Sequence, residues 1–521
     1  MQGRPLVERE LLDAESVVGH LVERGSVFRL LAEHRRVLFS EAMFIDLFPS
    51  GRGRPSVPVD IAASILVLQA LHGLSDREAM AALRTDLRWK VACGLPVGHA
   101  GYDASTLTYW RKRLAASSAP NRIFDAVKAV VAESGAIKGK NKRALDSTVL
   151  NDAVATQDTV TQLIAIIRKV AREVPGAAEV IAERCTAHDY SDPGKPRIAW
   201  DDAEARAVLI DALVTDAVGL LEVLAGWELD GPAADAVALL ALIAGQDVEP
   251  ADGSDGADGK WRIRRGVAKD RIISVVDPQT RHAHKTVERR QDGFKAHLVV
   301  EPETGITTGC ELTKAAGVEA ADGATGVRLL AADDTITSAE PVQVLGDSAY
   351  GTGDALAAIT GAGHTPLVKP WAFKPAVPGG FTLDDFILDE VAGTLTCPAG
   401  LTRMITKTRK VTFGAGCTGC TLRAQCTTAT SGRKITLHKY HGLQREHRQR
   451  AKDPSWQADY RQYRPMVERS IAWLVAGGNR RLRYRGMEKN NAWLHTRTAA
   501  LNLRKLLNLG LIRNQGTWAL A

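Results

Sequence analysis

Three acidic residues stand in three separately readable contexts: Asp146 in Arg143-Ala-Leu-Asp-Ser-Thr148, Asp347 in Val344-Leu-Gly-Asp-Ser-Ala-Tyr-Gly351, and Glu468 in Tyr463-Arg-Pro-Met-Val-Glu-Arg469. The first two close short apolar runs of strand character, and the third lies in a basic, helix-like stretch. Such a set suits two divalent cations held against a phosphodiester. Hard ions such as magnesium or manganese want a few carboxylate oxygens and otherwise take water and substrate phosphate. Two ions roughly 3.5–4 Å apart activate the incoming oxygen and stabilise the leaving one. A central-strand Asp146 would bridge both ions, with Asp347 and Glu468 each completing one site and no covalent enzyme intermediate required.

Taken singly, each acid has a plainer reading. An Asp at a strand end is most often a turn former or helix cap, and Glu468 alone would be a surface acid paired with Arg464 or Arg469. Spacing favours the chemical reading for Glu468: Val467, Ile471, Leu474 and Val475 form an apolar helical stripe, and Glu468 borders it at the edge of the core. Asp152, Asp158 and Asp354 compete for the same role. Asp152, the first alternative to Asp146, reads as a capping or surface group.

The elements that must position these acids follow from pattern and punctuation. Residues 1–137 read as helices. Asp60 is placed to cap Ile61 to Leu71, Ser75 and Glu78 form the Ser-x-x-Glu capping-box pattern, and Asp103 or Ser105 starts a helix through Leu114. That last helix carries Trp110, Arg111, Lys112 and Arg113, which fits either contact with a DNA end, in a helix-turn-helix-like layout, or a packing and dimerisation module. Lys138, Lys140, Lys142 and Arg143 lead into a strand at Ala144 to Val149. Residues 138–160 would open a catalytic core, 161–267 form an acidic helical insertion ending in the loop Asp252 to Gly259, and 268–370 continue the core. Strands are expected at Arg271 to Val276, Phe294 to Val300 and Pro341 to Gly346, with a hairpin turn at Glu301 to Gly305. Residues 371–454 interrupt the core with Pro, Gly and Cys, and helix is expected from about 456 to the end, within a closing unit 455–521. The fold class is therefore α/β, a mixed sheet flanked by helices with an all-α N-terminal part and two insertions.

At 521 residues the chain is too long for one core and points to about three units. No stretch approaches the ~18 apolar residues of a membrane span, and the start shows no signal-peptide apolar region, so a cytoplasmic protein with no membrane partner is expected. The net charge of +7 hides an uneven distribution: residues 432–521 carry 19 Lys/Arg against 5 Asp/Glu, whereas residues 161–260 carry 8 against 19. Basic residues gathered around Glu468 point to a polyanion, because Lys and Arg neutralising phosphates supply most non-specific nucleic-acid affinity. The plainer reading is a solvated surface.

Four of the seven cysteines form the pattern Cys397-x19-Cys417-x2-Cys420-x5-Cys426. A close Cys-x2-Cys pair with two more thiols from adjoining turns suits structural zinc, and His438 and His441 are substitute ligands. Unmetallated thiols are the alternative. Cys93, Cys185 and Cys310 are isolated and read as buried packing residues.

At this point the chain resembles the DDE transposases of bacterial insertion sequences, whose catalytic core has the RNase H-like fold. The matching stretches are Leu145-Asp-Ser-Thr148, Gly293-Phe-Lys-Ala-His297, Leu345-Gly-Asp-Ser-Ala-Tyr-Gly351, Arg464-Pro-Met-Val-Glu468 and Arg480-Arg-Leu-Arg-Tyr-Arg-Gly486, with Gly53-Arg-Pro55 and Gly73-Leu-Ser-Asp-Arg-Glu78 near the start. The resemblance implies Asp146, Asp347 and Glu468 as the catalytic and metal-holding acids, magnesium dependence, and double-stranded DNA partners: terminal inverted repeats and target DNA, gripped by a homodimer. Arg111, Arg113, Lys140, Lys142, Arg464, Arg480, Arg481, Arg483, Arg485 and Lys489 are the expected DNA-contacting residues. A catalytically silent DNA-binding descendant and a nuclease without strand transfer are the rival outcomes. The family's Tyr-x2-Arg-x3-Glu-x6-Lys signature is met at Arg464 and Glu468, but Arg461 holds the Tyr position and Val475 the Lys position, with Tyr460 one residue out of register. Arg480, Arg481 or Lys489 would take over the missing Lys. Pro465 disfavours helical geometry at Arg464 and suits the first position of a helix, so the Glu468 helix should begin there.

Overall fold

The structure is a computed structural model and describes residues 1–4, 12–50, 52–255, 260–284, 290–336 and 341–521. Residues 256–259 of the expected loop, and residues 5–11 of the start read as lacking an apolar leader, lie outside the described residues.

The architecture is mixed α/β. Its centre is a six-stranded sheet of β1 (Lys142–Asn151), β2 (Arg281–His284), β3 (Arg290–Val300), β4 (Thr307–Lys314), β5 (Gln343–Gly346) and β6 (Thr365–Val368). β1 lies between β3, to which it is antiparallel, and β5, to which it is parallel; β6 follows β5 in parallel, and both β2 and β4 pair with β3. This is the RNase H-like mixed sheet. β1 is thus a central strand, with Ala144, Leu145 and Leu150 buried. Gly293 permits its pairing with β3, because φ there is +150° and a Cβ would overlap the Leu150 carbonyl oxygen. The β3–β4 hairpin turns where expected: Glu301 is wholly buried and its carboxylate accepts from the N–H groups of Glu303 (2.9 Å) and Thr304 (2.8 Å), while Gly305 takes φ +76°.

The N-terminal region is helical, and the Ser75–Glu78 capping box forms with both reciprocal bonds, 2.7 and 3.2 Å. Asp60 does not cap. The helix Val59–His72 begins two residues earlier, behind Pro58, and Asp60 is buried against Arg35 at 3.1 Å. Asp103 accepts from Ser105 N–H at the start of the helix Ser105–Ala115.

The expected strand at Arg271 to Val276 is absent. Glutamine side chains take its backbone partners: Gln246 Oε1 accepts from Ile272 N–H (3.0 Å), Gln162 Nε2 donates to Ile272 O (2.8 Å), and Gln157 Oε1 accepts from Val275 N–H (2.7 Å). An apolar run satisfied by side chains looks the same in sequence as one satisfied by a neighbouring strand. The helices Thr159–Glu173, Ala203–Leu224 and Gly231–Gln246 that supply this packing enclose a hydrophobic core separate from that of the sheet.

The chain does not stay helical to its end. After the helix Met487–Asn508 it closes with an antiparallel pair, Leu511–Asn514 and Thr517–Leu520, around Gln515 and Gly516 at positive φ. Met487–Asn508 joins the two halves of the molecule. Asn502 bonds both the N–H (3.0 Å) and the C=O (2.8 Å) of Thr307 on β4. Arg497, buried, donates to the carbonyls of Ala70 (2.7 Å) and Trp473 (2.8 Å), which lie in the last turns of two helices whose terminal carbonyls lack intrahelical partners. Among the described residues no single helix is long and apolar enough to cross a membrane.

Candidate active site on the central strands

The last register pair between the parallel strands β1 and β5 is Ala144 with Leu345. Two residues further on stand Asp146, within β1, and Asp347, one residue past the end of β5 in still extended backbone. Period-two alternation puts each on the same face as the pair before it, and adjacent strands lie ~4.8 Å apart, so the two carboxylates are neighbours. Local structure holds both. Asp146 Oδ1 accepts from Ser147 N–H at 2.8 Å, and Asp347 Oδ1 accepts from Ala349 N–H at 2.9 Å, capping the short turn Ser348–Tyr350. Gly346 lets the chain pass close before Asp347: a Cβ there would stand 3.0 Å from the buried Tyr350 side chain, which would have to shift to admit it.

The third acid arrives on a helix. Asp453 caps Pro454–Tyr463, and Pro465–Val475 follows directly, with Val467, Ser470 and Leu474 buried. Arg464 between them keeps helical angles (φ −59°, ψ −37°), contrary to the expectation from Pro465. Proline here removes one N–H from the helical ladder without driving its neighbour into extended backbone. Pro465 does start the second helix, as expected. Arg464 Nη2 lies 3.0 Å from Asp146 Oδ2, and its Nη1 lies 3.7 Å from Glu468 Oε1. One guanidinium therefore faces two of the three acids. Tyr460, one residue out of the family register, still reaches the site and donates to Gly346 O at 3.3 Å.

The three acids sit in unequal surroundings. Burial pushes the Asp146 carboxyl above the usual carboxylate range, Arg464 pulls it back, and the charge of Asp347 adds to the rise. The Glu468 side chain is 64% exposed. Among the described residues no three His, Cys, Asp or Glu side chains are gathered tightly enough to hold a metal ion. The donor chemistry nonetheless suits a hard dication: two neighbouring carboxylates, one of them buried and needing a counter-cation that Arg464 now supplies.

The competing acids are otherwise engaged. Asp152 is buried and accepts from the Thr280 hydroxyl, which makes it neither a cap nor a surface group. Asp158 caps the helix Thr159–Glu173 through Thr161 N–H at 2.9 Å, and Asp354 pairs with Lys439 at 2.8 Å.

The basic residues divide into two groups. Arg111 folds back onto Asp76 and the Tyr484 ring, and Arg113 onto Leu47 O and Phe48, so the basic helix joins parts of the fold to one another. Lys140 pairs with Glu303, Lys142 lies 4.4 Å from the Tyr463 ring centroid, and Arg464 is 5% exposed. Arg480 donates to Val149 O at 3.0 Å, while Asn151 bridges to the chain at Arg481, which lays residues 480–482 along the end of β1. Arg111, Arg113, Arg464 and Arg480 thus each make contacts within the fold. Arg481, Arg483, Arg485 and Lys489 are exposed, although Arg483 also reaches Gly73 O. Sequence reading missed the role of Arg464 as partner of Asp146; its only signal was the four-residue spacing to Glu468.

Two family models match the chain. The one described as Transposase domain (DUF772) covers residues 17–113, and the one described as Transposase DDE domain covers residues 396–507. The second takes in Glu468, the four clustered cysteines and the Arg480 to Lys489 segment, whereas Asp146 and Asp347 precede it. No curated protein and no solved structure matches. With matches to transposase domains towards both ends and the mixed sheet between them, the chain is consistent with a DDE transposase of the insertion-sequence kind.

Proposed function

We propose that the protein cleaves DNA at the ends of an insertion sequence and joins the freed 3′-hydroxyl to target DNA, with Asp146, Asp347 and Glu468 as its catalytic acids. The observation that carries this reading is the side-by-side placement of Asp146 and Asp347, with Arg464 and Glu468 one helical turn apart above them. Phosphoryl transfer is mainly positioning plus neutralisation of charge on the reacting phosphate. Two divalent ions of the magnesium or manganese type, when bound, activate the attacking oxygen and stabilise the leaving one. Asp146 and Asp347, each oriented by a backbone N–H, would hold such ions. Glu468, on an exposed helical edge, completes the set. Arg464 balances the buried carboxylate of Asp146, and the exposed Arg481, Arg485 and Lys489 lie along the chain beyond the site, where they grip the DNA backbone.

The test is a cleavage and joining assay on a DNA fragment carrying the native flanking repeats, with and without magnesium. Nicks at the repeat ends and joined products, both requiring the metal, are expected. Nicks without joined products would make the protein a nuclease of this fold, and binding without nicks a silent DNA-binding descendant.

A further inference from the structure

We infer that Cys397, Cys417, Cys420 and Cys426 form a structural zinc site, a thiolate cage independent of the phosphodiester centre. The four thiols come from separate pieces of backbone and line one small cavity of about 30 Å³, enough to admit a water-sized guest. Cys397 follows the strand Thr394–Thr396 at the tip of a tight hairpin in which Gly400 N–H bonds Cys397 O at 2.8 Å. Cys417 and Cys420 bracket a turn with Gly419 at φ +78°, and Cys426 ends the one-turn helix Arg423–Cys426. All four are free thiols. Their sulfurs stand further apart than the ligands of a bound ion. Closing the cage requires the four side chains to rotate toward the space they share.

Two further observations point to a metal thiolate in preference to inert packing. Cys417 Sγ accepts a hydrogen bond from Arg433 N–H at 3.5 Å, the kind of bond that stabilises a negatively charged sulfur. Arg433 Nε is buried with no hydrogen-bond partner, and Arg433 lines the cavity with Arg423, so cationic groups stand where four thiolates around a dication would leave net negative charge. His438 and His441, the substitute ligands considered from sequence, do not line the cavity: His438 faces Asp354 and His441 is buried beside Asp384 and Arg448.

The surrounding subdomain has reason to need a metal. Its core is six buried side chains, Phe386, Leu395, Val411, Phe413, Ile435 and Leu437, between one three-stranded and one two-stranded sheet. So small a core lacks the apolar area to hold itself together, and a four-thiolate zinc supplies the missing folding energy. Binding replaces four S–H protons, released to solvent, with four Zn–S bonds and changes no oxidation state.

The experiment uses the full-length chain purified under reducing conditions. Elemental analysis should find about one zinc per chain, and titration with a mercurial in the presence of a zinc indicator should release it as four thiols react. Exchange with cobalt should give thiolate charge-transfer absorption and the intense ligand-field bands of a tetrahedral site, both lost in Cys417→Ser/Cys420→Ser. Zinc absent from the unaltered chain, release uncoupled from thiol modification, or disulfides among these cysteines would overturn the assignment. The titration requires no variant, so a misfolded double substitution leaves the decision intact.

Discussion

Arg464 Nη2 stands 3.0 Å from Asp146 Oδ2, both side chains largely withdrawn from water, at 7% and 15% exposure. Removing one member of a buried ion pair strands the other, which is why such losses cost more than the pair is worth. Arg464→Met should therefore destabilise the protein by about 3–5 kcal/mol. Combined with Asp146→Asn, the loss should be smaller than the sum of the two single losses. Urea unfolding of the four proteins measures this coupling, and strict additivity would mean that the two groups do not share a charge balance.

Lys505 is buried beneath the Glu468 helix, its ammonium bonded to Gly305 O and 3.3 Å from Ser470 Oγ. Burial, with repulsion from Arg504, lowers its pKa from an ordinary 10.5 to about 7. Between these values the unfolded chain binds a proton that the folded chain does not, so Lys505 makes stability rise with pH from about 7 to about 10.5. Lys505→Met should remove that rise, seen as the difference between the two proteins' stability profiles. Parallel profiles would show that Lys505 stays protonated in the fold.

At Gly293 the backbone is at φ +150° and an added Cβ would run into the Leu150 carbonyl. Gly293→Ala should cost roughly 2–4 kcal/mol through strain and a displaced β1–β3 ladder. Thermal unfolding compared with Gly361→Ala, where a Cβ meets nothing within 4 Å, isolates the effect.

Much of this arrangement was legible in sequence, for identifiable physical reasons. The β1, β3 and β5 segments could be read because each joins an apolar run to a turn residue, and the Ser75–Glu78 box because capping is a local interaction. The segment 271–276 misled because its backbone is satisfied by Gln157, Gln162 and Gln246, residues distant in sequence. The closing hairpin was missed although Asn514-Gln515-Gly516 carries a turn signal, since the helical pattern before it dominated. At the site, the acids could be found from their motifs, but the Arg464–Asp146 pair spans residues 318 positions apart and no local pattern encodes it. For the same reason the contacts of Arg111 with Asp76 and Tyr484, and of Arg113 with Phe48, had no local signal.

Arg485 and Lys489 lie exposed at the start of Met487–Asn508. If they grip phosphates, Arg485→Ala and Lys489→Ala should each weaken binding about equally on any DNA sequence and reduce the slope of log K against log salt by about 0.9. An unchanged slope would place the DNA path elsewhere.

The central claim is tested most directly by Asp347→Asn in the cleavage assay on DNA bearing the native flanking repeats. The substitution keeps size and the capping oxygen while removing the charge beside Asp146. The account predicts that magnesium-dependent nicking is abolished while binding to the repeat ends persists; nicking retained at the unaltered protein's rate would contradict it.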